Sequence, residues 1–341
     1  MPKTHSMQPM HPAPPDALFP AIAPFAHGFL PEQDGHAVYF EQCGNPAGLP
    51  MVFLHGGPGS GCMPRHRQFF DPQSTRAILW DQRGCGRSRS AQPLAHNTTA
   101  DLVADMERLR LQLGLEAWWV VGGSWGAALA LAYASAHPQR CLGLVLRGTF
   151  LARAADIQWF FQDAAQLLPD AWWAFAGLAG AADRGDLSTH VLQQVLHGED
   201  ASALAWARAW GAWETALTER RASAPPPAPG ASDAALLAKY RLQSHYLAAQ
   251  CFFPPQGALA GCAALGDMPV ALLHGRLDWI CRPQSAWDVQ RALPGSRVQW
   301  IDDAGHSPYE AGMAPALVAV IAHAVAHGDF RHWGQPLPAQ R

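Results

Sequence analysis

Charge is scarce in this chain: Asp, Glu, Lys and Arg make up 15% of its 341 residues, and the formal net charge is -3. So weak a field gives no electrostatic means of gathering nucleic acid or an anionic membrane, and neither is an expected partner. A small molecule is the expected ligand. Paired cysteine spacing is missing as well. The seven cysteines are odd in number and none stands in a CxxC pair, which argues against a disulfide framework and against a zinc site. Reduced thiols, no metal and a cytoplasmic setting are therefore expected. No apolar run approaches the roughly 20 residues that span a bilayer. The Pro- and Met-rich start lacks the basic stretch, apolar run and small-residue cleavage site of a secretory signal, and residues 1–28 read as a loose arm. With half of its residues hydrophobic (49%), the chain can still bury a large core.

The first half alternates short apolar runs with glycine turns and helical periods, the pattern of a mostly parallel sheet flanked by helices. Strands are expected at His36 to Gln42, Met51 to Leu54, Ala77 to Trp80, Trp118 to Val121 and Leu142 to Leu146. A helix between the third and fourth is well marked. Thr98 can cap it with Asp101 three residues on, Leu102, Met106, Leu109 and Leu113 recur at helical spacing, and Gly114 stops it. From 151 to 262 the character changes to Ala, Trp and Leu at helical spacing, broken by the Pro-rich stretch Ala222 to Gly230. This segment reads as a helical insertion. Strands resume at Val270 to His274 and Arg297 to Ile301, with helices around Ser285 to Leu293 and Ala314 to Ala326. The division expected is therefore an arm (1–28), a first core segment (29–150), an inserted helical region (151–262) and a second core segment (263–341).

Gly122-Gly123-Ser124-Trp125-Gly126 fits G-x-S-x-G, directly after the run WWVV and before the small-residue helix AALALAYASA. A serine there is lifted on a sharp strand-to-helix turn, and flanking glycines are wanted where neighbouring backbone would crowd a Cβ. A plain helix N-cap is the competing reading; the strand before and the helix after favour a nucleophile of the α/β-hydrolase type. A serine hydroxyl needs a base, and the base an orienting acid, in the chain order Ser, Asp or Glu, His. His306 stands in the loop after the last expected strand, and Asp278 in the loop after the strand before it. Asp302 and Asp303 compete for the acid role but lie too close to His306 in sequence and suit a solvated turn. His274 and His245 read as ordinary loop histidines. The tetrahedral intermediate needs backbone N–H donors, for which the loop His55-Gly56-Gly57-Pro58-Gly59-Ser60-Gly61 and the residue after the serine nominate the amides of Gly57 and Trp125. Without G-x-x-x-x-G-K-[ST], that loop is no phosphate cradle. Asp81 to Ser88 reads as a polar turn bracing these loops.

Taken in order, HGGPGSG, DQRGCGRS, GGSWG, HGRLD and GHS, with YFEQCGNP, LRGTF and WFFQDAAQLLPDAW, resemble the prolyl aminopeptidase (proline iminopeptidase) family of serine peptidases from about Phe29 to the final helix. The resemblance implies an α/β-hydrolase fold with an inserted helical cap over the site. It also implies release of an N-terminal proline from small peptides or amides, without a cofactor. Trp206, Trp210 and Trp213 share a helix face with Glu214 at its edge, which by periodicity alone is equally a packed stripe beside a solvated carboxylate. The resemblance implies that Glu214 anchors the substrate's amino terminus. It implies a second glutamate in a stretch like R-I-E-N-H-Y, where this chain reads Arg241-Leu242-Gln243-Ser244-His245-Tyr246. Gln243 can accept a hydrogen bond but brings no charge, so the amine would be held more weakly by roughly 1–3 kcal/mol. The alternative is a small-molecule esterase or amidase with the same triad and a cap adapted to a less cationic substrate. A catalytically silent binding protein would not require the full set of residues. The apolar insertion is compatible with a homo-oligomer.

Overall fold

The computed structural model describes residues 18–222 and 232–338. An eight-stranded sheet runs through it in the order β1 (Ala26–Phe29), β3 (Tyr39–Gly44), β5 (Thr75–Trp80), β4 (Leu49–Leu54), β7 (Trp118–Gly123), β8 (Cys141–Arg147), β9 (Val270–Gly275), β10 (Arg297–Ile301). β1–β3 and β3–β5 pair antiparallel; every later neighbour is parallel. A separate ribbon joins β2 (His36–Ala37) to β6 (Arg89–Ser90). The expected strand His36 to Gln42 is thus two strands, divided where the chain passes from the ribbon to the sheet.

The central strands are apolar throughout because helices cover both of their faces. The period of two sorts their side chains. Val52, Leu54, Val120, Leu144, Leu146 and Leu272 join the core under α1 (Thr99–Gln112), α2 (Trp125–Ala136) and α8 (Pro283–Ala292). Met51, Phe53, Trp119, Val121, Val145 and Leu273 join the core under α9 (Met313–His327). Each such large side chain adds about 1.5–3 kcal/mol of burial free energy. α1 starts as its sequence requires, with Thr98 and Asp101 in a reciprocal capping box, and Gly114 leaves it at φ +66°.

Between β8 and β9 the described residues hold helices and single turns but no strand: α3 (Ala154–Phe161), α4 (Pro169–Ala176), α5 (Leu187–His197), α6 (Asp200–Glu219) and α7 (Asp233–Ala248). Position 262 falls inside a 3-10 turn, Gly257–Leu265. The Pro-rich stretch beyond Ala222 lies outside the described residues. One expectation needs correction: residues 18–28 are no loose arm. Leu18 and Ile22 pack against the second core, the Phe19 N–H donates to the Gln68 carbonyl (2.9 Å), and β1 is a sheet edge. Pro20 and Pro24 interrupt any helical or strand period in this apolar stretch and concealed these anchors; residues 1–17 lie outside the described part.

Candidate active site

β7 ends at Gly123 and α2 begins at Trp125, so Ser124 makes the whole turn alone, at φ 58° and ψ -122°. A non-glycine residue in that region stores about 1–3 kcal/mol of strain, held here by packing on both sides. The Ser124 N–H donates to the Arg147 carbonyl (2.9 Å) and its carbonyl accepts from the Ala127 N–H (3.0 Å). The flanking glycines are steric necessities. A Cβ on Gly122 would collide with the Gly126 carbonyl, and one on Gly126 with the Leu54 carbonyl.

His306 stands between β10 and α9, and Asp278 three residues past β9. His306 Nδ1 lies 2.9 and 3.1 Å from the two Asp278 oxygens. Asp278 is 2% exposed, and its Oδ1 also accepts from the N–H groups of Cys281 (2.8 Å) and Ile280 (3.0 Å). Burial pushes the Asp278 carboxyl up, but His306 beside it and the Cys281 N–H hold it below the ordinary carboxylate range. Ser124 and His306 line the same cavity. The Ser124 hydroxyl is turned towards Cys281 Sγ, 3.8 Å away, and makes no hydrogen bond to His306 among the described residues. Such bonds commonly tighten only in the substrate complex. Burial pushes the Cys281 thiol well above its usual pKa, so the neighbour of the serine is a neutral S–H. Asp302 and Asp303 are exposed, and Asp302 lies 3.7 Å from Arg276 Nε.

Two histidines are not the loop residues expected. His274 lies within β9, one residue before its end, fully buried, with Nε2 donating to the Cys281 carbonyl (2.7 Å) and Nδ1 accepting from the Thr149 N–H (3.3 Å). Burial lowers its pKa, leaving a neutral ring that fixes the loop carrying Asp278. His245 lies on α7 and bonds the Asn97 carbonyl (2.8 Å). Two residues that hold the His306 loop, and a glycine that leaves it room, were not read from the sequence. Arg147, 8% exposed at the end of β8, donates to the His306 carbonyl. Glu310 accepts from the N–H groups of Gly305 (2.8 Å) and Ser307 (3.2 Å) and pairs with Arg220 (3.0 Å). Gly148 sits at φ +53°, where a Cβ would stand 3.2 Å from Asp278 Oδ2 and 3.4 Å from His306 Nδ1. The signals were present: a charge closing the buried strand LVLR, and an acid four residues after His306.

The loop after β4 abuts the serine, since a Cβ on Gly56 would lie 3.4 Å from Ser124 Cβ. Gly57 takes φ +115°, and a Cβ there would press on the Gly59 N at 2.6 Å. Beneath the loop, the Trp125 indole donates to Gln82 Oε1 (2.8 Å), Gln82 Nε2 donates to the His55 carbonyl (3.1 Å), and the Gln82 N–H donates to His55 Nε2 (3.1 Å). Asp81 accepts from the Cys62 N–H (2.6 Å) and pairs with Arg87 (2.8 Å). The Asp81–Ser88 turn therefore braces the loop. The Trp125 N–H opens α2, where the first turn leaves amides without partners inside the helix.

A cavity of about 490 Å³ lies between these loops and α3, α6 and α7. Phe160, Phe161, Trp210 and Leu247 supply apolar wall. Of the tryptophan stripe only Trp210 reaches it; Trp206 packs on Phe175 and His190, and the Trp213 indole donates to the Phe160 carbonyl (2.9 Å). Glu214 faces the cavity, with Oε2 accepting from the Tyr240 hydroxyl (2.8 Å) and 3.5 Å from Lys239 Nζ. Burial raises the Glu214 carboxyl, and Lys239 and Tyr240 more than offset it, so its pKa is lowered. Gln243 also lines the cavity, 8% exposed, its Oε1 without a partner. Lys239 and Tyr240 were not read as site residues, although Lys239 precedes Gln243 by one helical turn, a spacing that puts them on one face. Among the described residues no group of three His, Cys, Asp or Glu could hold a metal, and no helix is long and apolar enough to cross a membrane.

The fold and the serine turn define a class, and comparison with known proteins agrees: the alpha/beta hydrolase fold family matches residues 50–312, and the chain belongs to it. Within that class it is 43% identical over 304 residues to the proline iminopeptidase of Xanthomonas citri, covering 88% of this chain and 97% of that one. It is 42% identical over 303 residues to the proline iminopeptidase of Xylella fastidiosa, with the same coverage. This chain belongs to the proline iminopeptidase family. The crystal structure of a proline iminopeptidase from Mycobacterium smegmatis superposes with a TM-score of 0.59 at 19% identity, over 89% of this chain and 99% of that one, a likeness of fold.

Proposed function

We propose that the chain is a serine exopeptidase releasing N-terminal proline from small peptides or amides, with Ser124, His306 and Asp278 as its triad. The observation that carries this reading is one cavity lined both by Ser124 and His306 and by the half-buried carboxylate of Glu214. Ser124 Oγ attacks the carbonyl carbon of the proline residue as His306 Nε2 takes its proton. Asp278, bonded to Nδ1, fixes the ring and stabilises its cationic form. The amides of Gly57 and Trp125 receive the oxyanion. His306 then returns the proton to the leaving amine as the C–N bond breaks, and water, deprotonated by His306, attacks the acyl-enzyme to free proline. Glu214 binds the substrate's ammonium and Gln243 Oε1 accepts an N–H from it. The helical region 151–262 acts as the cap that confines the site to a chain end. The seven unpaired cysteines suit a reducing compartment, and we place the enzyme in the cytoplasm.

One observation favours the esterase or amidase reading: Gln243 brings no charge to the amine end. Turnover of proline p-nitroanilide against p-nitrophenyl acetate separates the two. Hydrolysis of the proline amide, lost in Ser124→Ala together with fluorophosphonate labelling, is the expected result. Ester turnover with no detectable proline-amide cleavage would overturn it.

A further inference from the structure

Of the 24 Lys and Arg residues in the chain only two are lysines, Lys3 and Lys239, and the second faces the cavity beside the carboxylate assigned to the substrate's amine. Its ammonium lies 3.5 Å from Glu214 Oε2 and 4.7 Å from the centre of the Tyr240 ring, whose hydroxyl donates to the same oxygen. The other charged groups on the cavity wall have separate engagements. Asp156 is held by Arg153 (3.0 Å) and by Arg282 (3.4 Å), and Arg147 donates to the His306 carbonyl. The amine end therefore carries one negative and one positive charge. Gln243, one turn further along α7, adds a buried carbonyl oxygen without a partner and no charge.

We propose that Lys239 is a specificity-determining residue: its ammonium occupies Glu214 in place of the substrate's amine and must be displaced before a cationic N-terminus binds. The inference rests on Glu214 being the amine anchor. The choice of lysine fits a displaceable occupant. Arginine would clamp the carboxylate through two parallel N–H donors, whereas an ammonium on a flexible stem makes a point contact and can swing into water. The pair is partly open to solvent, with the Lys239 and Glu214 side chains 30% and 31% exposed, so its hold is modest. The cost to a cationic ligand is about fivefold in affinity. Neutral acyl groups escape this competition, so the cavity discriminates less between free and blocked N-termini than an unoccupied carboxylate would.

The test is the inhibition constant of the pyrrolidinium ion against hydrolysis of p-nitrophenyl acetate, a reporter that lacks an amine. Lys239→Met is expected to tighten pyrrolidinium about fivefold, and Lys239→Arg to weaken it. In a Glu214→Gln background the Lys239→Met gain should vanish, which a general loosening of the cap would not produce. An inhibition constant unchanged or weaker in Lys239→Met, or an equal gain without Glu214, overturns the proposal. Failure of the native chain to cleave proline p-nitroanilide would count against the peptidase reading alone, since the pyrrolidinium comparison uses the ester.

Discussion

Gln243 is where this cavity departs from what its family resemblance implies, and its surroundings sharpen the consequence. The side chain is buried, its Oε1 lacks a partner, and Lys239 lies one turn before it on α7. A buried acceptor left unmatched costs about 1–3 kcal/mol, so the site is poised for a ligand N–H. Gln243→Glu would change the amine end from neutral to net negative and offer Lys239 a second carboxylate, freeing Glu214. The expected outcome is a rise in kcat/KM for proline p-nitroanilide of about tenfold, the effect of one charge-assisted hydrogen bond. Steady-state kinetics checks this, and an unchanged or lower value removes Gln243 from recognition. Nothing in periodicity assigned that role. Only the family resemblance gave the position a meaning, and only the folded helix pair brought Lys239, Tyr240 and Glu214 together.

At the scale of elements, the loop carrying His306 is held from three directions: Asp278 binds the ring, Arg147 the backbone carbonyl, and Glu310 the amides on either side. Glu310 in turn pairs with Arg220, the left-handed residue that ends α6, so the helical insertion and the His306 loop share a tether. Glu310→Ala should leave two loop amides unpaired and free the loop to drift. A displacement of about 1 Å at a reacting group can cost on the order of 100-fold, so kcat is expected to fall by about ten- to a hundredfold with KM little changed. Single-turnover rates with proline p-nitroanilide test the loop's part, and a loss confined to KM would assign Glu310 to binding instead. The elements themselves were largely legible. β4, β5, β7, β8 and β9 are bounded apolar runs, and α1 announces its own cap. β1 was not, because Ala26-His27-Gly28-Phe29 has no alternation and owes its extended form to pairing with β3. His274 closed the expected strand yet was read as an ordinary histidine, because its buried partners, the Cys281 carbonyl and the Thr149 N–H, come from other parts of the chain.

Across the whole molecule, scarce charge is concentrated where it braces the site. Glu41, fully buried on β3, pairs with Arg67 (2.8 Å) and Arg87 (2.7 Å); Arg87 also pairs with Asp81, which holds the Cys62 amide at the end of the glycine-rich loop after β4. Arg67 reaches on to the Ile22 carbonyl (3.0 Å), so the network joins the N-terminal segment, the sheet and the active-site loop. Burial pushes the Glu41 carboxyl up, but the two guanidinium groups outweigh it and its pKa is lowered. Asp81 is likewise lowered, by Arg87 and the amides against burial. A carboxylate whose folded pKa lies below its unfolded value of about 4 adds stability that is fully present above that value and is lost as the pH falls through the folded pKa. Glu41→Gln removes this contribution and leaves two arginines facing a neutral amide. Because Arg67 and Arg87 are partly exposed and rehydrate in part, the cost at pH 7 should be about 2–4 kcal/mol, towards the lower end for a broken buried pair. Urea unfolding of both proteins from pH 7 to pH 2.5 should show that gap constant down to about pH 4 and narrowing below it, as native Glu41 itself becomes neutral. A gap of equal size at every pH would mean that Glu41 stabilises by packing, and that its charge contributes nothing to holding the loop beneath Ser124.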